Sequence, residues 1–388
     1  MTNQARSSLA VLGCALLVGA GCARKAGDDV GEQAMVAAGE KVVNVYNWAD
    51  YIEPSLLEKF TAETGIKVNY DVYDGNEVLE TKLMAGNTGY DVVVPSASFV
   101  ERQIKAGVFR KLDRAKISNW QHLDPDIMQR LAQHDPGNQY IVDYMWGTDG
   151  IGYNEAKILD VMPNAPVDSW ALVFDPSIAA KFKECGISVL DGPTDIVPLV
   201  LAYLGREPTS DSAEDLAAAE RTLMAVRPYI KMIHSSNYRD ALATGEICIA
   251  VGWSGDIFQV QTRVAEAGQD DVIKYSIPKE GTIIWFDTLA IPVDAPHPDN
   301  AHAFINFLQR PEVAAANSDY LAYANGNSGS FPLISEQVRN NPSIYPSPEV
   351  KAKLFPDVVR SEEYSRLLNR SWTRFVTNTS DAVTADAG

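Results

Sequence analysis

The stretch Ile247-Cys248-Ile249-Ala250-Val251-Gly252-Trp253-Ser254-Gly255-Asp256 reads as a strand that ends abruptly in functional chemistry. An apolar run of this kind suits a strand covered on both faces, as in the sheets of α/β proteins. Gly252 and Gly255 break the run, and a helix is expected from Ile257 to Ala267, so Trp253 and Asp256 stand at a strand-to-helix turn. In open α/β sheets ligands sit outside the carboxyl ends of the strands, which makes this turn a candidate site. An indole face attracts a cation and covers methylenes, while a carboxylate accepts N–H bonds; together they can receive an alkylammonium. The competing reading is a core tryptophan beside an aspartate that caps the helix.

The rest of the chain supplies context for that turn. Its 388 residues are enough for two domains, or for one bilobal unit with two cores. An apolar content of 46% with 22% charged residues places it among ordinary soluble globular proteins. The 51 acidic residues outnumber 33 basic ones, a formal charge of −18. Nucleic acid, which demands a basic surface, is thereby disfavoured as a partner, whereas a cationic ligand would be steered inward. An acidic balance also serves solubility alone.

Signals for catalysis and for bound cofactors are weak. The 5 histidines form no His-x-x-x-His or His/Cys cluster, so no metal is expected. Gly252-Trp-Ser-Gly255 lacks the full spacing of a nucleophile elbow, and Gly150-Ile-Gly152 lacks the third glycine of a dinucleotide fingerprint. No cofactor is expected. A carboxylate pair for glycoside hydrolysis stays open in so acidic a chain, which keeps an exported hydrolase as an alternative.

Residues 1–21 read as a signal peptide: Arg6 precedes an apolar run from Leu9 to Ala20 that is short for a bilayer span. The run closes on Gly19-Ala20-Gly21-Cys22, which resembles a bacterial lipobox and makes Cys22 the candidate for lipidation. Residues 22–40 are small and polar without a period, as in a flexible tether. With Cys14 in the signal and Cys22 lipidated, the folded body retains Cys185 and Cys248. In an oxidising compartment such a pair is either a disulfide or two buried thiols.

From Lys41 onward strands and helices alternate. Strands are expected at Val42–Tyr46, Ile66–Val72, Tyr90–Val94, Ile187–Leu190 and Ile247–Val251. Helices are expected at Pro54–Thr64, Asn76–Ala85, Phe99–Ala106, Asp195–Leu204, Asp211–Val226 and Tyr238–Thr244, with a pair at Asn300–Leu308 and Glu312–Tyr320. Such alternation implies parallel sheets with right-handed crossovers. Tyr140–Tyr153 reads as two extended pieces interrupted by glycines, a crossover into a second lobe; Thr282–Asp287 and Leu289–Pro292 are strand-like and return the chain. The proline-containing tail is expected to wrap around the body.

Six segments in order, Tyr46-Asn-Trp-Ala-Asp-Tyr-Ile52, Val92-Val-Val-Pro-Ser-Ala-Ser98, Gly252-Trp-Ser-Gly-Asp256, Ser276-Ile-Pro-Lys-Glu-Gly281, Trp285-Phe-Asp287 and Tyr323-Ala-Asn325, resemble the periplasmic spermidine- and putrescine-binding proteins of bacterial ABC importers. The likeness runs from about Val42 to Phe375. It implies an α/β fold of the type II periplasmic binding protein class, two lobes joined by a hinge. Residues 41–146 and 285–325 would form lobe 1, and residues 147–284 and 326–378 lobe 2.

The resemblance also implies a site: an aromatic box from Trp48, Tyr51, Trp253 and Trp285 with Tyr323 at its edge, ammonium-binding carboxylates at Asp256 and Asp287, and Asp50 and Ser96 nearby. Asp195 stands where a glutamate is usual, and Ala49 where a hydroxyl residue is common. Ser236 also lines the pocket by this alignment, with the match shared between Ser235 and Ser236. Cys185 and Cys248 coincide with a cysteine pair of some members, which implies a disulfide. The implied partners are a polyamine and a membrane permease; the protein is expected to be a periplasmic monomer, with a lipid anchor if Cys22 is processed. A sensor for a membrane receptor is the alternative within the same fold. Trp285 resembles spermidine-preferring members, because an indole covers an additional aminopropyl arm; Asn-Trp-Ala-Asp-Tyr and the cysteine pair look closer to the putrescine branch. Spermidine is the expected preference.

Overall fold

The computed structural model describes residues 39–268 and 272–379. The expected signal peptide, Cys22 and nearly all of the tether lie outside them. In the first half, β1 (Val42–Trp48) buries Val43, Val45 and Tyr46. Pro54 opens α1 (Pro54–Thr64), and Gly65, at φ 70°, closes it. Proline loses nothing in the first turn, and glycine accepts the left-handed cap. β2 (Lys67–Tyr73), α2 (Asn76–Ala85), β3 (Val92–Val93) and α3 (Ala97–Lys105) follow. β1 runs parallel to both β2 and β3.

β4 (Ile141–Asn154) then crosses the molecule as one 14-residue strand. Beyond it lie β5 (Ile187–Val189), α4 (Pro193–Tyr203), α5 (Ala213–Val226), β6 (Ile230–Ile233), α6 (Tyr238–Ala243), β7 (Ile249–Trp253), α7 (Ser254–Glu266) and β8 (Ile273–Ser276). β9 (Ile283–Ala290), α8 (Pro298–Leu308), α9 (Pro311–Leu321), β10 (Phe355–Pro356) and α10 (Glu362–Thr377) complete the labelled elements. The strand order is β2-β1-β3-β9-β4-β7-β5-β6, with β10 on β9 and β8 on β4.

Four expectations are corrected. The sheet is mixed: β4 is antiparallel to β7, β8 and β9, and β3 is antiparallel to β9. The parallel βαβ series flank a centre made of long crossing strands, which strand–helix alternation does not reveal. The glycines of β4 do not interrupt it. A Cβ on Gly150 would lie 2.4 Å from the Tyr275 ring, so glycine is there for close packing of an unbroken strand. The tail ends in α10, whose Arg374 reaches Glu220 of α5 and whose Phe375 carbonyl accepts the Arg227 Nε–H at 2.8 Å. The two pieces expected at Thr282–Pro292 are the single strand β9, because Thr288 is buried and its N–H and hydroxyl both donate to the Pro95 carbonyl.

β4 changes partners along its length. Ile141–Thr148 pair with β9, while Asp149–Tyr153 pair with β7 and Ile151–Asn154 with β8. Ile247 to Val251 are fully buried, as the apolar run requires. Cys248, beside β7, is disulfide-bonded to Cys185 ahead of β5, with Cα atoms 5.5 Å apart and a sequence separation of 63. A loop of that size carries about 4 kcal/mol in the chain-entropy model, commonly less in practice. The paired replacement Cys185→Ser/Cys248→Ser is therefore expected to lower unfolding free energy by up to about that amount; denaturant titration of the two proteins measures it.

Candidate ligand-binding site

The turn after β7 places Asp256 in the first helical turn of α7, where a negative charge meets the positive end of the helix dipole. The cap position belongs to Trp253, without a side-chain cap bond, so Asp256 is not committed to capping. Its Oδ2 accepts the Tyr238 hydroxyl at 2.8 Å and its Oδ1 the Tyr323 hydroxyl at 3.1 Å. Both hydroxyls are held from behind: Tyr238 accepts the Trp253 N–H (3.3 Å), and Tyr323 accepts the Asp256 N–H (3.2 Å). Arg239 Nε lies 3.7 Å from Asp256 Oδ2, and its Nη2 lies 3.9 Å from Asp50 Oδ2. Burial raises the Asp256 pKa, and Arg239, Tyr238 and Tyr323 oppose the rise. Asp50 is exposed and sits at φ 54°, in the turn that ends β1.

A second buried carboxylate, Asp287, projects from β9. Ser96 Oγ donates to its Oδ1 at 2.6 Å. Asn76, first residue of α2, fixes that serine: its Nδ2 donates to Ser96 Oγ at 3.0 Å, and its Oδ1 accepts the Ser96 N–H at 3.1 Å. Burial lifts the Asp287 pKa to about 6, against the pull of Ser96 and Tyr51. The buried Tyr51 hydroxyl faces this carboxylate and is the second hydroxyl acting on it.

Aromatic rings fill the space between the two. The Tyr323 ring meets Tyr51 edge-on at 5.5 Å and Trp285 at 5.3 Å, while its hydroxyl holds Asp256. A chain of rings thus connects the carboxylates. Trp285 approaches β4 so closely that a Cβ on Gly147 would lie 2.5 Å from its ring. Trp48 is set against Tyr73 at 4.8 Å, its indole N–H donating to the Val94 carbonyl at 3.0 Å, two residues from Ser96. Trp253 is half-buried, and its side chain supports the Asp195 carboxylate, whose pKa burial and Asp357 raise to about 7. Ser236 is exposed, its N–H donating to His234 Nδ1 at 3.0 Å, and Ser235 Oγ accepts the Asp191 N–H.

The structure therefore brings Tyr51, Ser96, Asp256, Trp285, Asp287 and Tyr323 into one connected group, and Arg239 adds Asp50 to it. Sequence reasoning missed four residues here. Tyr238 and Arg239 open a helix read only for its length, Asp149 lies inside the stretch read as a crossover, and Asp357 lies in the tail. For Asp149 and Asp357 a lone acidic residue in an acidic chain carried no usable signal. What this arrangement can do chemically is hold a cation with apolar methylenes, with carboxylates at separate points and aromatic faces between them.

The family model described as bacterial extracellular solute-binding protein matches residues 55–346. The chain belongs to this family. It is 53% identical over 341 residues to the putrescine-binding periplasmic protein SpuD of Pseudomonas aeruginosa, covering 87% of this chain and 92% of that one. It is 49% identical over 341 residues to the putrescine-binding periplasmic protein PotF of Escherichia coli, with the same coverage of 87% and 92%. Among solved structures, the spermidine/putrescine ABC transporter substrate-binding protein PotD of Streptococcus pneumoniae superposes with a TM-score of 0.74 at 29% identity, covering 87% of this chain and 98% of that one. The fold is that of the type II periplasmic binding proteins, and the family consists of solute-binding proteins, not enzymes.

Two outcomes follow from the electrostatics. Asp287→Asn is expected to weaken binding of a cationic ligand by about 2 to 5 kcal/mol, the range for truncating one partner of a buried charge pair, as read by calorimetric titration. Burial pushes the carboxyls of Asp195 and Asp287 up to about 7 and about 6 in the ligand-free protein, and a carboxyl must be ionised to pair with a cation. Affinity should therefore fall as pH is lowered through that window. Ligand-free stability should move the other way: these two carboxyls, at 3.8 when unfolded, keep their protons in the folded state up to about 7 and about 6, so the stability they contribute is lost as pH rises from about 4 to about 7. Titrations and thermal melts across pH measure both slopes.

Proposed function

We propose that this protein is an extracytoplasmic receptor that binds a polyamine between two closing lobes and delivers it to the membrane permease of an ABC importer. The observation that carries this reading is the pair of buried carboxylates, Asp256 and Asp287, joined by the rings of Tyr323, Trp285 and Tyr51. Polyamines are apolar chains with charged ends, and such a site offers matching walls and acceptors. The lobes would be residues 41–146 with 285–325 and residues 147–284 with 326–378, turning about β4 and β9. Support for a hinge there comes from β4, which exchanges β9 for β7 at Thr148/Asp149. Export as a periplasmic monomer, tethered through a lipidated Cys22, completes the proposal.

For the preferred ligand the reading is putrescine. The relatives at 53% and 49% identity are named for putrescine, and the Arg239 guanidinium beside Asp256 and Asp50 is a positive charge that opposes an additional ammonium at that end. Spermidine, expected from the sequence, remains a second reading on one observation: Trp285 presents an indole to the site, wide enough to cover a further aminopropyl arm.

Thermal shift against amines, amino acids, sugars and anions tests the receptor reading. Stabilisation by about 2.7 kcal/mol is expected at 100 times the dissociation constant of a polyamine; a response to sugars or anions alone refutes it. Titration of wild type and Trp285→Phe with both amines decides the preference. Tighter putrescine binding by wild type is expected, and a putrescine preference that appears only in Trp285→Phe would restore spermidine.

A further inference from the structure

Asp149 of β4 lies between the two tryptophans that flank the candidate site. It is the register partner of Trp253 in β7, and Gly147, two residues earlier, is the register partner of Trp285 in β9. Alternate residues of a strand share a face, so Trp285, Asp149 and Trp253 fall in a row on one side of the sheet. Because Gly147 has no side chain, the Trp285 ring lies against the backbone there and its indole faces Asp149.

The Asp149 side chain has no solvent exposure; the Trp285 indole N–H is the one donor acting on it, opposing the rise of its pKa, yet neither that N–H nor either carboxylate oxygen meets hydrogen-bond geometry with any described residue. Burying a carboxylate in this way is costly unless it is protonated or meets a cation. The groups acting on it besides its own burial are Asp195, Asp357 and Trp285, none of them a cation. Asp256, by contrast, already has two tyrosine hydroxyls and the Arg239 guanidinium around it. The indoles of Trp253 and Trp285 are half-buried, and Asp149 lies in the row between them, where a cation held against either ring would meet a carboxylate.

We propose that Asp149 is a further ammonium acceptor of this site, receiving one charged end of an alkyl diamine between the Trp253 and Trp285 indoles. The inference rests on the polyamine reading and amends it in one respect: Asp256 is already held by two tyrosine hydroxyls and Arg239, so one ammonium goes to Asp287 with Ser96 and the other to Asp149.

Calorimetric titration of wild type, Asp149→Asn and Asp149→Ser with 1,4-diaminobutane and with butylamine, its singly charged counterpart, tests it. Wild type should bind the diamine at least tenfold more tightly than the monoamine. Both variants should lose at least tenfold in diamine affinity and most of that diamine-to-monoamine ratio, while the ligand-free Asp149→Asn protein melts no lower than wild type, since burial already favours the neutral carboxyl that the amide replaces. An unchanged ratio in either folded variant overturns the proposal, and so does failure of both variants to fold, which would give Asp149 a structural role. If wild type binds neither amine nor spermidine, the polyamine reading falls and takes the inference with it; if it binds spermidine alone, the inference falls by itself. If wild type binds, and Asp287→Asn weakens binding while the Asp149 variants keep the ratio, only the inference falls.

Discussion

Carboxylates withdrawn from water without full compensation are the constraint around which this protein is arranged. Asp149, Asp256 and Asp287 are buried, and Asp195 and Asp357 are half-buried close enough for their charges to act on one another. Each such ion costs several kcal/mol unless hydrogen bonds, a counter-charge or a proton compensates. The structure uses all three remedies unevenly: hydroxyls and a guanidinium at Asp256, a serine at Asp287, and upward-shifted titration at Asp149 and Asp195. What remains uncompensated is negative potential, which favours a cation. Binding and ligand-free stability are thus set against each other, as is common where a site is kept electrostatically unsatisfied.

The backbone makes that arrangement possible by bringing strand ends together. Asp256 follows the end of β7, Asp287 and Trp285 lie on β9, and Asp149 lies where β4 passes from one partner to the other. Parallel units on each side bury the flanking helices, while the long antiparallel strands carry the polar groups through the middle. Glycine at position 147 is part of this design, since only a residue without Cβ lets the Trp285 ring lie against β4. The tyrosines complete it: buried hydroxyls demand partners, and at Tyr238 and Tyr323 the partner is the carboxylate of Asp256.

Second elements then hold the first in place. Asn76 at the start of α2 fixes Ser96, which fixes Asp287; Tyr144 donates to the Tyr51 carbonyl at 2.6 Å and accepts from Asn317 Nδ2 at 2.9 Å. Such chains keep a site near its binding geometry before the ligand arrives, which lowers the ordering cost of association. The disulfide ties β7, whose end carries Trp253, to the segment leading into β5.

Local chemistry was legible in the sequence wherever a single element decided it. The buried run of β7, the proline start and glycine end of α1, the bounds of α2, and the strand-to-helix turn with Trp253 and Asp256 all follow from short-range rules of burial and capping. Quoted segments also sufficed for the family, because six of them recur in order. Tertiary structure alone decided the rest. Strand direction at the centre, the continuity of β4, and the carboxyl-terminal helix depend on pairings between distant segments. Arg239 beside Asp256, and Asp149 between two tryptophans, depend on register across strands and on which helix face meets the turn. An aspartate is polar in any sequence; only folding decides whether its water is removed and its partner withheld.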